Sequence, residues 1–226
     1  MKIKYLGQNC FLFSHNDKLI LSDPFYNFQK DKSRFDINAQ KIDYVLITHA
    51  HQDHIADVEE VLQFHPNTII IGQPEICGYF NHPNQVDLNI GGSYQIDGLK
   101  IAMVSATHTS SFPDGTYGGV PVGYVFQLAN RTLYLAGDTG VNKDMEYLKP
   151  IFGDITTAIL PIGGHYTLDA KSASFVAKEL IKTSKVIGCH FDTFPPITIN
   201  HQEAKDSFTA NNIELILPEL GDEIQF

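Results

Sequence analysis

The chain has 226 residues, of which 43% are hydrophobic and 19% charged, and its 16 Lys+Arg against 26 Asp+Glu give a net charge of −10. These proportions describe a globular protein long enough to bury one sizeable core, and the acidic balance argues against nucleic-acid binding through phosphate neutralisation and against a polybasic membrane anchor. No apolar run nears the roughly 20 residues of a membrane span, the start lacks a signal-peptide pattern, and the three cysteines (Cys10, Cys77, Cys189) form no CxxC pair, so a cytoplasmic protein without disulfides is expected.

In chain order, residues 2–5, 10–13 and 18–22 read as strands, with His15-Asn16-Asp17 turning between the last two. Residues 43–48 form an apolar strand ending in polar groups. A helix over 57–64 follows, then a buried strand at 68–71 and a short helix over 74–80 opened by Pro74. The middle is β-rich: 92–96, 100–105, 122–128 and 132–136, with Asn130-Arg131 turning between the last two. The remainder alternates: helix 142–148, strand 157–160, helix 170–182, strand 186–189, helix 202–211 and strand 213–217. Helix 170–182 carries Phe175, Val176, Leu180 and Ile181 on one face, with Asp169 placed to cap it. In each half a β-rich stretch precedes strand–helix alternation. That predicts an α/β (α+β) fold of two packed mixed sheets with helices outside, in one domain over 1–226.

The chemistry concentrates in Thr48-His49-Ala50-His51-Gln52-Asp53-His54, directly after an apolar strand. Three imidazoles and a carboxylate within residues 49–54 are aimed into one volume by a strand end and a tight loop. That donor set suits Zn, Mn, Fe or Ni. The pattern HxHxDH resembles the metallo-β-lactamase superfamily, and the resemblance covers almost the whole chain: His108 follows one strand in Ala106-Thr107-His108-Thr109, Asp138 another in Gly137-Asp138-Thr139-Gly140, and His190 a third in Cys189-His190-Phe191-Asp192. The resemblance implies an αββα sandwich with two divalent metal ions at the sheet ends. By that resemblance His49, His51 and His108 bind one ion, Asp53, His54 and His190 the other, and Asp138 bridges both. Such a pair can share a hydroxide, lower its pKa and stabilise a developing oxyanion. Asp53 and His165 are the residues expected to serve catalysis.

Two further positions belong to this expectation. Asp23, in Leu21-Ser22-Asp23-Pro24, occupies a place from which relatives orient a ligand histidine. Pro161-Ile162-Gly163-Gly164-His165 resembles the metal-dependent hydrolase branch related to ascorbate-6-phosphate lactonase and the N-acyl-phosphatidylethanolamine phospholipase type, and there His165 contacts substrate or an oxyanion. The Gly- and Pro-containing stretch 111–121 reads as the rim of an open pocket. His15, His65, His82 and His201 are expected to be exposed and outside the site.

Other branches fit less well. Diiron oxygen reductases of the superfamily carry Glu where this chain has His51 and add a flavin domain; antibiotic-hydrolysing enzymes lack the aspartate at the position of Asp138; tRNA-processing nucleases add a basic arm; glyoxalase-type thioesterases add a C-terminal glutathione-binding part. The expected function is therefore a zinc-type dinuclear hydrolase of a small or medium, anionic ester, lactone or phosphodiester. Its partner is a small-molecule substrate, with no nucleic acid and no membrane span. The alternative is a non-catalytic metal sensor or carrier on the same fold.

Overall fold

The computed structural model describes residues 1–29 and 35–226. Its strands in chain order are β1 (Lys2–Gly7), β2 (Cys10–His15), β3 (Lys18–Ser22), β4 (Tyr44–Leu46), β5 (Ile69–Gly72), β6 (Gln85–Asp87), β7 (Ser93–Ile96), β8 (Leu99–Ser105), β9 (Val122–Leu128), β10 (Arg131–Leu135), β11 (Thr157–Pro161), β12 (Lys185–Cys189), β13 (Glu214–Ile216) and β14 (Glu223–Gln225). The helices are α1 (Gln52–Ile55), α2 (Val58–Phe64), α3 (Pro74–Phe80), α4 (Leu148–Phe152), α5 (Ala170–Phe175) and α6 (His201–Thr209). The chain divides into two compact units: Met1–Asn89 with Thr109–Val120 and Glu219–Phe226, and Ile90–His108 with Pro121–Pro218.

Each unit holds one mixed seven-stranded sheet, ordered β14-β1-β2-β3-β4-β5-β6 in the first and β13-β12-β11-β10-β9-β8-β7 in the second. Central strands read as continuous apolar runs because both their faces are buried: Val45 and Leu46 on β4, like Tyr134 and Leu135 on β10, are wholly inaccessible. In the first unit Val45, Leu21, Tyr26, Val58, Val61 and Ile76 share one core. In the second, Val125, Tyr134, Ala158, Val186, Val176 and Phe208 share another.

Strand direction positions the chemistry. β2 is antiparallel to both β1 and β3, while β3, β4, β5 and β6 run parallel. The C-terminal ends of five strands therefore lie along one edge, and the loops leaving β1, β3 and β4 carry Gln8, Asp23 and His49. In the second sheet β9 is antiparallel to β8 and β10, and β10 to β13 are parallel. His108, Asp138, the 161–165 segment and His190 leave that sheet at one edge too. Carboxyl ends of parallel strands are where open α/β sheets bind ligands.

Several boundaries differ from the sequence expectation, each for a local reason. The strand expected over 43–48 shortens to Tyr44–Leu46, which leaves Thr48 and His49 outside the ladder. The turn expected at Asn130-Arg131 lies one residue earlier, since Arg131 already pairs with Leu128. The helix expected over 142–148 is a 3-10 turn, Lys143–Tyr147, capped by the Asn142 side chain and followed by α4. Asp169 does cap α5, accepting from Ser172 N at 2.7 Å. Beyond Phe175 that helix widens into π geometry over Val176–Ile181 and stops at Lys182 with φ +61°. β6 and β14 escape sequence detection because each is three residues long and mostly polar, held by pairing with β5 and β1. Among the described residues no helix is long and apolar enough to cross a membrane.

Candidate metal centre

In the first unit, the loop after β4 and the single turn α1 hold His49, His51, Asp53 and His54. His51 caps α1, which places Asp53 and His54 in its one turn. His49 Nε2 and His51 Nδ1 face each other at 3.0 Å. Two nitrogens bound to one tetrahedral zinc would stand about 3.3 Å apart, so this pair fits ligands converging on one cation. The His49 and His54 rings lie 4.0 Å apart between centroids. Asp53 Oδ2 sits 3.5 Å from His54 Nε2 and accepts from Gln8 Nε2 at 2.7 Å.

Asp23 organises this loop. It leaves β3 with φ +39° and is wholly buried. Its carboxylate accepts from Thr48 N at 2.8 Å, from Thr48 Oγ1 at 2.7 Å and from His54 Nδ1 at 2.8 Å. Burial pushes its pKa up, and the contacts with His54 and Thr48 oppose that rise. Thr48 N and Thr48 Oγ1 donate to it, and an ionised carboxylate only accepts, so the third contact takes its proton from His54 Nδ1. The hydrogen-bond network then assigns the tautomers. His54 must carry its proton on Nδ1. The Thr48 hydroxyl spends its proton on Asp23, so at 3.0 Å it can only accept from His49 Nδ1. Each imidazole is thereby oriented so that Nε2, the nitrogen that carries the lone pair in the neutral ring, is the one offered to a cation.

The segment Thr109–Val120 packs on this loop from within the same unit. Ser110 Oγ accepts from Ala50 N at 3.2 Å and donates to Gly118 O at 2.8 Å. A Cβ on Gly118 would lie 2.2 Å from Ala50 Cβ, so both residues must be small. The stretch expected to rim a pocket is thus in part a brace for the His49–His51 backbone.

In the second unit, Asp138 and His190 are buried and His108 is half-buried. Asp138 Oδ2 lies 3.0 Å from His190 Nε2 and 3.5 Å from His108 Nε2, so one carboxylate oxygen faces two imidazoles. The loops bearing them are tied together: Thr107 N donates to Thr139 Oγ1 at 3.0 Å and Gly140 N to Thr107 O at 2.9 Å. His190 takes φ +54°, and like Asp23 and Gln8 it holds a backbone conformation that non-glycine residues rarely adopt. Gly163 backs directly onto it, since a Cβ there would meet His190 O at 2.1 Å and Ile197 Cβ at 2.9 Å. Gly163→Ala is therefore expected to cost about 3 kcal/mol, lowering the thermal midpoint by roughly 6–12 °C. Differential scanning calorimetry checks this, and an unchanged midpoint would refute the close approach.

His165 follows with φ +57° and stacks edge-on against Tyr166, ring centroids 4.4 Å apart. The expectation that four other histidines are exposed holds for His201 alone. His15, His65 and His82 are half-buried, and His65 and His82 contact the Ile37 and Thr68 carbonyls at 2.8 and 3.0 Å, because loop backbone needs partners there. Sequence reasoning missed Gln8 and Thr48. Gln8 carried no signal at all, whereas Thr48 stood beside the motif and could have been read as a partner of its first imidazole.

Two mixed seven-stranded sheets, whose strand ends present His and Asp groups able to hold a metal ion, define a metal-binding fold of the α/β class. The family model for the Beta-lactamase superfamily domain matches residues 2–190, and the chain belongs to that metallo-β-lactamase superfamily. It is 39% identical over 232 residues to a UPF0173 metal-dependent hydrolase of Christiangramia forsetii, covering 100% of both chains. It is 35% identical over 229 residues to another of Pyrococcus horikoshii, covering 100% of this chain and 99% of that one. Among solved structures, the metallo hydrolase Igni18 of Ignicoccus hospitalis superposes with a TM-score of 0.86 at 31% identity, over 100% of this chain and 98% of that one. The chain is thus a hydrolase, and the alternative of a non-catalytic carrier gives way.

Proposed function

We propose that the two units act as one hydrolase domain in which seven side chains hold two divalent cations: His49, His51 and His108 at one, Asp53, His54 and His190 at the other, and Asp138 between them. The observation that carries this reading is the pair of contacts at Nδ1, His49 to Thr48 Oγ1 at 3.0 Å and His54 to Asp23 Oδ2 at 2.8 Å, which assign a proton to each Nδ1. A hydrogen-bonded core histidine needs no such commitment, whereas a ligand does. The carboxylate of Asp138 facing two imidazoles supports the reading from the other unit.

When bound, such cations would supply a hydroxide near neutral pH and polarise the bond to be cleaved. The chain's own residues do the rest. Asp23 and Thr48 hold the imidazoles oriented through Nδ1, with Nε2 directed at the cation. Two carboxylates among seven ligands leave net positive charge on a pair of divalent ions, which draws anionic substrates although the whole chain is acidic. His165, on the loop after β11, would contact the substrate or its developing negative charge. The substrate class is a small or medium ester, lactone or phosphodiester carrying an anionic group, and the net charge of −10 weighs against nucleic acid. Imidazole-rich ligation with carboxylates favours zinc, with Mn, Ni and Fe as the other cations that suit it. Cys10, Cys77 and Cys189 are buried, and burial pushes the Cys77 thiol up to about 11, which fits a reducing cytoplasm.

The test is metal content by mass spectrometry, followed by turnover of phosphodiester, lactone and thioester substrates before and after chelation. Two ions per chain, loss of turnover on demetallation and recovery on adding Zn2+ are expected. Full turnover by the demetallated protein would reject the mechanism.

A further inference from the structure

We propose that Gln8 is the positioning residue that orients the Asp53 carboxylate toward its cation; this rests on the dinuclear reading above. Gln8 lies in the turn between β1 and β2, at the sheet edge where Asp23 and the His49–His54 loop also emerge, and it is wholly buried. Its amide nitrogen donates to Asp53 Oδ2 at 2.7 Å. A carboxylate only accepts, so the amide's orientation is settled: Nε2 faces Asp53 and Oε1 faces away.

Two features of Gln8 are unfavourable by themselves. Its backbone is held at φ +53°, a region that a glycine would enter without strain, next to Gly7, which already has φ +109°. Its Oε1 is a buried acceptor with no hydrogen-bond partner among the described residues. A residue selected for packing would be apolar, and one selected for the turn would be Gly or Asn. What glutamine supplies here, and those residues do not, is a neutral donor at the end of a side chain long enough to reach Asp53. The bond engages one carboxylate oxygen, Oδ2. It fixes the carboxylate plane and holds Oδ2, which also lies 3.5 Å from His54 Nε2, on the side of that ligand nitrogen. Asp53 sits on a helix of four residues with its side chain a quarter exposed, so its own element does little to hold it. Ligating carboxylates are held by hydrogen-bonding partners of this kind, and losing one typically weakens metal binding 10- to 100-fold.

The experiment titrates demetallated wild type, Gln8→Met and Gln8→Asn with Zn2+ against a chromophoric competitor and records the visible spectrum of each Co2+-loaded protein. Met keeps the length of the side chain and removes the donor. Asn keeps the amide and tolerates the left-handed backbone, yet falls one methylene short of Asp53, so it serves if the Met variant fails to fold. Thermal melts in chelator confirm folding without metal. Wild type should bind two ions. Each folded variant should bind one of them 10- to 100-fold more weakly, hold the other within about twofold, and show an altered Co2+ spectrum. Two ions bound with unchanged affinities and an unchanged spectrum in both variants would overturn the role of Gln8 alone. Fewer than two ions in wild type would overturn the dinuclear reading, and this inference with it.

Discussion

Replacing Asp138 with Asn should lower kcat/KM by at least about 1000-fold, or roughly 4 kcal/mol of transition-state stabilisation. The substitution keeps shape and volume but removes the charge from a carboxylate whose Oδ2 lies 3.0 Å from His190 Nε2 and 3.5 Å from His108 Nε2. The fold should tolerate it well. The 137–140 turn is held independently, by Gly137 at φ +63°, by the Thr139 hydroxyl accepting from Thr107 N, and by Leu168 N donating to Thr139 O at 3.0 Å. Steady-state kinetics on any substrate turned over by wild type, paired with metal content per chain, separates lost chemistry from lost protein. A variant within tenfold of wild type would remove Asp138 from the centre.

Asp23→Ala should have the largest effect on stability. Three donors, Thr48 N, Thr48 Oγ1 and His54 Nδ1, lose their acceptor in a wholly buried place. Each buried group left unsatisfied costs about 1–3 kcal/mol. A total of about 3–5 kcal/mol, or a fall of roughly 10 °C in the thermal midpoint, is expected for the metal-free protein. Asp23→Asn separates structure from tautomer control. Its amide oxygen can still accept from Thr48 N, which preserves part of the stability. Its NH2 would face the Thr48 hydroxyl and His54 Nδ1, and both would have to surrender the protons that keep Nε2 of His49 and His54 as lone-pair nitrogens. Metal affinity should therefore drop 10- to 100-fold in Asn as in Ala. Melts in chelator and Zn2+ titrations measure the two effects separately, and wild-type affinity in Asp23→Asn would sink the assignment.

Much of the architecture was legible because it is local. The runs behind β4, β5, β9 and β10 are apolar over a strand's length, Pro74 opens α3, and Asp169 caps α5. The HxHxDH motif was legible because four candidate ligands share one loop, and His108, Asp138 and His190 because each stands just past a strand. Boundaries failed where pairing overrides propensity: β6 and β14 exist through β5 and β1, and the second half of helix 170–182 widens without any local signal.

The residue sequence by itself determined the fold class and which side chains are candidates for metal binding, since both follow from short-range pattern: the period of burial, and ligand types at strand ends. Tertiary structure alone decided how those side chains are held. That Asp23, 25 residues before Thr48, dictates the proton positions of two imidazoles, that Gln8 reaches across 45 residues to Asp53, and that Gly163 yields its space to His190 all depend on which strand ends share an edge. Strand order is set by long-range backbone pairing and common core burial, and neither leaves a mark at the residues it brings together.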